Sequence, residues 1–176
     1  MVFDINEIPE EGVSFEVREN KKHFDIEEPD CKLIDDVSVG GILRRIHHEI
    51  YLNAEVKTRL EVQCTRCLVM FPFTVKARVS AQFMPREKAG VFGHEMELHD
   101  ADIDTEYFEG ERIDITSPVR DTILLALPAV YVCRKDCAGL CPRCGINLNE
   151  QTCQCHSEPA GDPRLEILKS IKDKLK

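Results

Sequence analysis

The sequence predicts an α+β protein: an antiparallel β-sheet or partly closed barrel carrying a short packed helix, then a C-terminal zinc-ribbon-like module and a C-terminal helix. Three observations lead there. Residues 33–83 alternate apolar and polar positions with the period of half-buried strands. Six of the nine cysteines crowd into CRKDCAGLCPRCGINLNEQTCQC, Cys133 to Cys155, with a further pair in CTRC at Cys64 and Cys67. Only two stretches, IDITSPVRDTILLALP and DPRLEILKSIKDKLK, place apolar residues three or four apart. With 176 residues, 43% of them hydrophobic, the chain is long enough for one sizeable core and a small appended module. We therefore expect a β-rich domain with one helix over 1–130 and a cysteine-rich module with its helix over 131–176.

In chain order, VSFEV within the first thirty residues reads as an edge strand between loops. Lys32 to Val39 is the first strand after it, and Gly40 and Gly41 mark a turn. ILRRIHHEIYL (Ile42 to Leu52) and EVKTRLEVQ (Glu55 to Gln63) read as a hairpin turning at Asn53 and Ala54. LVMFPFTVKARVSAQF (Leu68 to Phe83) continues the meander, with Pro72 implying an edge, a bulge or a strand start. The acidic stretch Gly93 to Glu111 reads as a loop or an edge extension. Thr116 or Ser117 is the expected N-cap of the first helix, Pro118 lies in its first turn, Val119, Ile123, Leu124 and Leu127 form its apolar face, and Pro128 stops it. In the last segment Asp162 is the expected cap, with Leu165, Leu168, Ile171 and Leu175 on one face.

No apolar run approaches the roughly 18 residues of a membrane helix, and the N-terminus is acidic where a signal peptide is basic and then apolar. The expectation is a cytoplasmic protein. In a reducing compartment cysteines two or three residues apart are metal ligands more readily than disulfides, and an odd total of nine disfavours full pairing. Zinc takes four thiolate or imidazole ligands in a tetrahedron, and CxxC supplies two corners of it. Cys64 and Cys67 have this spacing, as do Cys141 and Cys144, followed by Gly145, which can take the positive φ such a turn favours.

The most economical assignment puts Cys141, Cys144, Cys153 and Cys155 in one zinc site. Cys133 and Cys137 then join the distant Cys64 and Cys67 in a second, clamping the module to the sheet. Alternatives stay open at this point: Cys133 and Cys137 sharing the local site, His156 replacing a cysteine, or a dithiol redox pair at CTRC, which lacks a surrounding βαβ pattern. Cys31 has no partner at useful spacing. His47 and His48, adjacent on a strand, would face opposite ways. His94 and His99 read as solvated histidines among acids. No GxSxG, GxxxxGK[ST] or HExxH is present, and a closed four-thiolate site leaves no open position for catalysis. The chain is expected not to be an enzyme.

The net charge of −9 disfavours a nucleic-acid binder at first sight, but it is unevenly spread. Residues 1–30 carry ten acids and three bases, whereas Lys57 to Lys88 carries seven bases and two acids. Lys57, Arg59, Arg66, Lys76 and Arg78 are therefore candidate RNA-binding residues, subject to whether alternation leaves them on one face.

Taken in order, CTRC with LVMFPFTV, ITSPVRDTILLALPAVYVC, DCAGLCPRCGINLNEQTCQC and DPRLEIL resemble the bacterial YceD family of large-subunit ribosomal RNA accumulation proteins, over roughly Val37 to Leu168. The resemblance implies a role in synthesis, processing or accumulation of large-subunit ribosomal RNA and in ribosome assembly. The partner would be ribosomal RNA or a large-subunit precursor. An acidic adaptor for a basic ribosomal protein, engaged through residues 93–111, is the alternative reading.

Overall fold

The computed structural model describes residues 1–86 and 105–155. Nine strands are named among them: β1 (Val2–Asp4), β2 (Val13–Glu19), β3 (Glu27–Glu28), β4 (Cys31–Leu33), β5 (Val37–Ile46), β6 (Glu49–Gln63), β7 (Met70–Pro85), β8 (Thr105–Phe108) and β9 (Arg112–Asp114). One helix, α1 (Thr116–Leu125), follows them. The 15-residue β6 organises the sheet. Along one edge it pairs antiparallel with β5 and then, past Lys57, with β4; along the other it pairs with β7 from Ile50↔Phe83 to Gln63↔Met70. Outside these lie β2 on β5, β3 on β4, and β8 parallel on the end of β7. The sheet is open, so of the two expected forms the barrel is not the one adopted.

The alternation in sequence becomes two faces in space. Ile50, Leu52, Val56, Leu60 and Val62 of β6 point inward, where they meet Val75, Val79 and Phe83 of β7 and Val119 and Ile123 of α1 in one buried cluster. Each such aliphatic side chain contributes roughly 1.5–3 kcal/mol on burial. Thr58 is the buried polar residue in this row, and its hydroxyl donates to the carbonyls of Asp35 and Asp36 at 3.3 and 3.5 Å. It thereby holds the link at which β6 exchanges β5 for β4 as its neighbour.

Three expectations about strand boundaries are corrected. Lys32 to Val39 is interrupted at Asp35–Asp36, where the chain leaves β4 and enters β5. Gly40 and Gly41 do not turn; they lie within β5, and a Cβ on Gly41 would stand 2.3 Å from Asn53 O, so only glycine permits this approach to β6. The β5–β6 turn is at His47 and His48, with Ile46 opposite Glu49 and His47 at φ 58°, and not at Asn53–Ala54, which run through the middle of β6. The physical reason is that the inward row Ile50, Leu52, Ala54, Val56 continues unbroken past Asn53, and burial of that row outweighs the turn preference of one asparagine.

Other expectations fit. VSFEV lies in the edge strand β2, and Pro72 stands third in β7, where β7 is paired only with β6 among the described residues. The part of the acidic stretch that is described includes β8, an edge extension of the sheet. Helix α1 begins one residue before the expected caps: Ile115 is the N-cap without a side-chain bond, and Asp114 Oδ1 instead accepts from the Thr116 amide at 2.9 Å. Val119 and Ile123 are buried, and Arg120 Nε donates to Phe24 O at 2.8 Å, tying α1 to the 3-10 turn Lys21–Phe24. The C-terminal helix expected from Asp162, together with His94, His99 and His156, lies outside the described residues.

Candidate metal centres

Beyond α1 the chain returns to the sheet at Tyr131, whose ring stands edge-on to Phe73 at 6.0 Å and whose carbonyl accepts from both the amide and the hydroxyl of Thr65 at 2.9 Å. This docking sets Cys133 beside the CTRC turn that connects β6 to β7. Cys64, Cys67, Cys133 and Cys137 come together there, and Cys141, Cys144, Cys153 and Cys155 form a second group; in each the four sulfurs lie within 4.8 Å of one another. All are free thiols.

Four sulfurs at about 2.3 Å from a central zinc ion stand about 3.8 Å apart. Cys67 Sγ and Cys133 Sγ are 3.6 Å apart, and Cys64 Sγ and Cys137 Sγ 3.9 Å, so two opposite edges of the first cluster match such a tetrahedron. Both donor sets can hold a metal ion, and four thiolates at these separations suit zinc. The first cluster is sunk between sheet and module, with Cys64, Cys67 and Cys137 buried; in the second, Cys141 is buried and Cys144 exposed. Among the described residues Cys31 belongs to neither, but sits in the apolar core with its thiol pushed up by burial.

Backbone amides prepare the sulfurs for a cation. Burial pushes the Cys64 thiol up, but the amides of Cys133, Cys67 and Arg66 directed at its sulfur outweigh this and bring it down to about 6. The amides of Cys144 and Arg143 bring Cys141 down to about 6, while the side-chain amide of Asn149 lowers Cys137. Their neighbours respond in the opposite sense: burial, with Cys67 and Cys137, pushes Cys133 up to about 12, and Cys144 does the same to Cys155. In each cluster the amides thus favour thiolate on some sulfurs while neighbouring thiols oppose further ionisation, and a bound divalent cation would remove that opposition.

The two cysteine turns share one backbone pattern. In the first, Leu68 N–H donates to Cys64 O and Cys64 N–H to Val69 O, both at 2.9 Å. In the second, Gly145 N–H donates to Cys141 O and Cys141 N–H to Ile146 O, again at 2.9 Å. The residue after the second cysteine is left-handed in both, Gly145 at φ 72° and Leu68 at φ 58°. Glycine accepts this conformation freely, whereas a leucine there costs on the order of 1–2 kcal/mol.

The five cations singled out in the sequence separate. Lys57, Arg59, Lys76 and Arg78 all lie on the outward face of β6 and β7: Lys57 is opposite Lys76, Glu55 opposite Arg78, and Arg59 opposite Thr74. Three of them are engaged by acids. Glu55 pairs with Lys57 at 2.7 Å and Lys76 at 3.3 Å, and Asp35 with Arg59 at 2.7 Å. Arg78 has no ion pair among the described residues. Arg66 stands apart at the CTRC turn, where Nη1 donates to Cys137 O at 3.2 Å and its carbonyl accepts from Leu140 N–H at 3.0 Å. It binds sheet to module. His47 and His48, at the tip of the β5–β6 hairpin, line a cleft of about 750 Å³ with Arg45, Arg86, Glu109 and Glu111 at the opposite end of β6 from the cysteines.

Sequence reasoning did not single out Asn149. It lies in the connection between Cys144 and Cys153, donates to Cys137 Sγ at 3.3 Å, and accepts from Ala138 N–H at 2.8 Å and Arg134 Nη2 at 2.7 Å. The polar NLNEQ run between two cysteine pairs was the available signal.

Fold and site together define a class: an open, mostly antiparallel sheet whose β6–β7 connection meets the segment after α1 at a group of four thiols able to hold a metal ion, with a second such group further along that segment. Comparison with known families makes the assignment specific. The model of the family "Large ribosomal RNA subunit accumulation protein YceD" matches residues 52–172, more than half of the chain, and the chain belongs to that family. An uncharacterised protein of Mycobacterium tuberculosis is 44% identical over 54 residues, 31% of this chain and 25% of that protein. The chloroplastic large ribosomal RNA subunit accumulation protein YCED homolog 1 is similar in Arabidopsis thaliana (38% over 50 residues, 28% of this chain and 16% of that protein) and in Zea mays (39% over 61 residues, 35% and 20%). The matched stretch thus spans a quarter or less of these relatives. No solved structure matches. No helix among the described residues is long and apolar enough to cross a membrane.

Proposed function

We propose that this protein is a non-enzymatic factor in the synthesis, processing or accumulation of large-subunit ribosomal RNA, acting in ribosome assembly by binding ribosomal RNA or a precursor of the large subunit. The observation that carries this reading is the family match over residues 52–172. Zinc in both cysteine clusters serves it as a fastener. Cys64, Cys67, Cys133 and Cys137 hold the module on the sheet, and Cys141, Cys144, Cys153 and Cys155 hold the module together. Four thiolates around the ion leave no position for substrate or water, so the metal stabilises and does not catalyse.

The outward cations Lys57, Arg59, Lys76 and Arg78 meet RNA phosphate. RNA must compete with Glu55 and Asp35 for three of them, which favours modest, salt-sensitive affinity. The same pairing favours a second reading, in which an acidic adaptor holds a basic ribosomal protein. Co-sedimentation of the metal-loaded protein with large-subunit precursors, followed by crosslinking, separates the two. The expected result is crosslinked RNA, weakened by Lys57→Glu, Lys76→Glu and Arg78→Glu together; crosslinks to ribosomal protein alone select the adaptor. Arg66 is left unchanged in this experiment because it also binds Cys137 O.

A further inference from the structure

The first cysteine turn contains a residue that folding alone does not account for. Its backbone repeats the second turn hydrogen bond for hydrogen bond, and the second places glycine at the left-handed position. The first places Leu68 there, at φ 58°, with 52% of its surface exposed. A strained leucine repaid by burial is ordinary; this one is strained and gains little burial. Val69 beside it is 42% exposed, so the turn presents two adjacent branched apolar side chains to solvent.

We propose that Leu68 and Val69 form a contact for an unstacked nucleobase of large-subunit ribosomal RNA, with the flanking Arg66 and Arg134 receiving phosphate. This rests on the RNA-binding reading above and adds to the β6–β7 strip a surface that takes a base. Bases splayed from single-stranded RNA stack on aromatic rings or arginine planes, and an extruded base is also held between apolar side chains, while the cations beside it take the backbone. Arg66 is exposed within the turn itself. Arg134 shares with Val69 a cleft of about 250 Å³; its Nη2 donates to Asn149 Oδ1 at 2.7 Å and its Nε stands 3.7 Å from the exposed Asp136, which phosphate would displace, and the acid on the cleft wall, Glu150, already accepts from the Asn147 amide at 2.8 Å. The strip on β6 and β7 supplies charge without apolar surface; the turn supplies both.

The variants Leu68→Gly and Leu68→Asn remove the side chain while keeping a residue that tolerates the left-handed backbone, and Val69→Ser tests the neighbour. Binding of the metal-loaded full chain to a single-stranded RNA of mixed sequence and to purified large-subunit precursor RNA is measured beside the melting temperature. The expected result is that Leu68→Gly melts no lower than the unaltered protein and binds RNA about tenfold more weakly, the scale of burying one leucine side chain against a base. Ultraviolet crosslinks of the unaltered protein should fall within residues 66–69. Unaltered affinity in Leu68→Gly, Leu68→Asn and Val69→Ser overturns the proposal while leaving the RNA-binding reading intact. Absence of RNA binding by the unaltered protein sinks that reading and this one with it. Loss of particle binding that persists after nuclease digestion identifies a protein occupant and also overturns it.

Discussion

The side-chain amide of Asn149 donates to the sulfur of Cys137 at 3.3 Å, across the boundary between the two cysteine clusters. Asn149 belongs to the connection that joins the halves of the second cluster, whereas Cys137 belongs to the first. Its oxygen is held in turn by Ala138 N–H and Arg134 Nη2, and its amide also reaches Asn147 Oδ1 at 2.9 Å. A metal ion in the second cluster would fix the connection and with it the donor that favours the charged form of Cys137.

Asn149→Asp keeps the acceptor for Ala138 and Arg134 but replaces the donor with a negative group facing the sulfur. Metal affinity of the first cluster should fall about 10- to 100-fold, with the second unaffected. Chelator competition against the cobalt-loaded protein, following thiolate-to-metal absorption, measures both. Equal loss from the two clusters, or none, contradicts the assignment.

Removal of metal should separate the molecule into two behaviours. The core contributed by Leu52, Val56, Leu60, Val75 and Val79 owes nothing to the clusters, while residues 133–155 contribute only Cys137 and Cys141 to the buried apolar set. A strong chelator under reducing conditions should therefore abolish amide protection across residues 133–155 and leave it in the middle of β6 and β7. Hydrogen exchange checks this; a sheet that melts along with the module would show that the first cluster supports the core as well.

Different physics explains what the sequence revealed and what it did not. Metal-ligand spacing is local and chemical, so CxxC and the eight-residue connection to Cys153 pointed directly to the groups that the structure brings together. The apolar alternation on either side of Asn53 was legible too, because burial imposes a period of two, but the turn expected at Asn53–Ala54 cut the single inward row of β6 into two. The turn between β5 and β6 was not: His47 adopts φ 58° without being glycine or asparagine, and its conformation is imposed by pairing from Ile46↔Glu49 onward. Gly41 misled for the opposite reason. Glycine marks turns, but it also marks close backbone approach, and only the neighbouring strand shows which applies. Arg66 was read as charge for a partner; that its Nη1 also donates to Cys137 O was hidden, because the contact joins residues 71 apart in the chain.

Gly41→Ala is expected to destabilise strongly. The added methyl would lie 2.3 Å from Asn53 O and 2.4 Å from Ala54 Cα, both backbone atoms of the paired strand, so β5 and β6 must move apart. The loss should be on the order of 2–3 kcal/mol in denaturant unfolding. Gly40→Ala, whose new Cβ would meet nothing closer than 3.8 Å, serves as the control and should change stability far less.

Asp114 sets the acid limit of one contact. Burial pushes its carboxyl up, but the hydroxyl and amide of Thr116 and the Met1 ammonium outweigh burial and hold it below the ordinary value of 3.8. The native state therefore favours the carboxylate. Its contribution is fully present above the ordinary value and is lost as the pH falls through the depressed native one. Asp114→Ala removes the acceptor from the first turn of α1 and should cost about 1 kcal/mol at neutral pH, a figure limited by the exposure of the carboxylate. The gap between variant and unaltered protein should narrow only below about pH 4, as Asp114 in the unaltered protein takes up its own proton. Denaturant unfolding of both proteins between pH 7 and pH 3 measures it. A gap that closes near pH 6 would assign the effect to a different group, and a gap constant to pH 3 would show that hydrogen bonding to Thr116 does not depend on the charge.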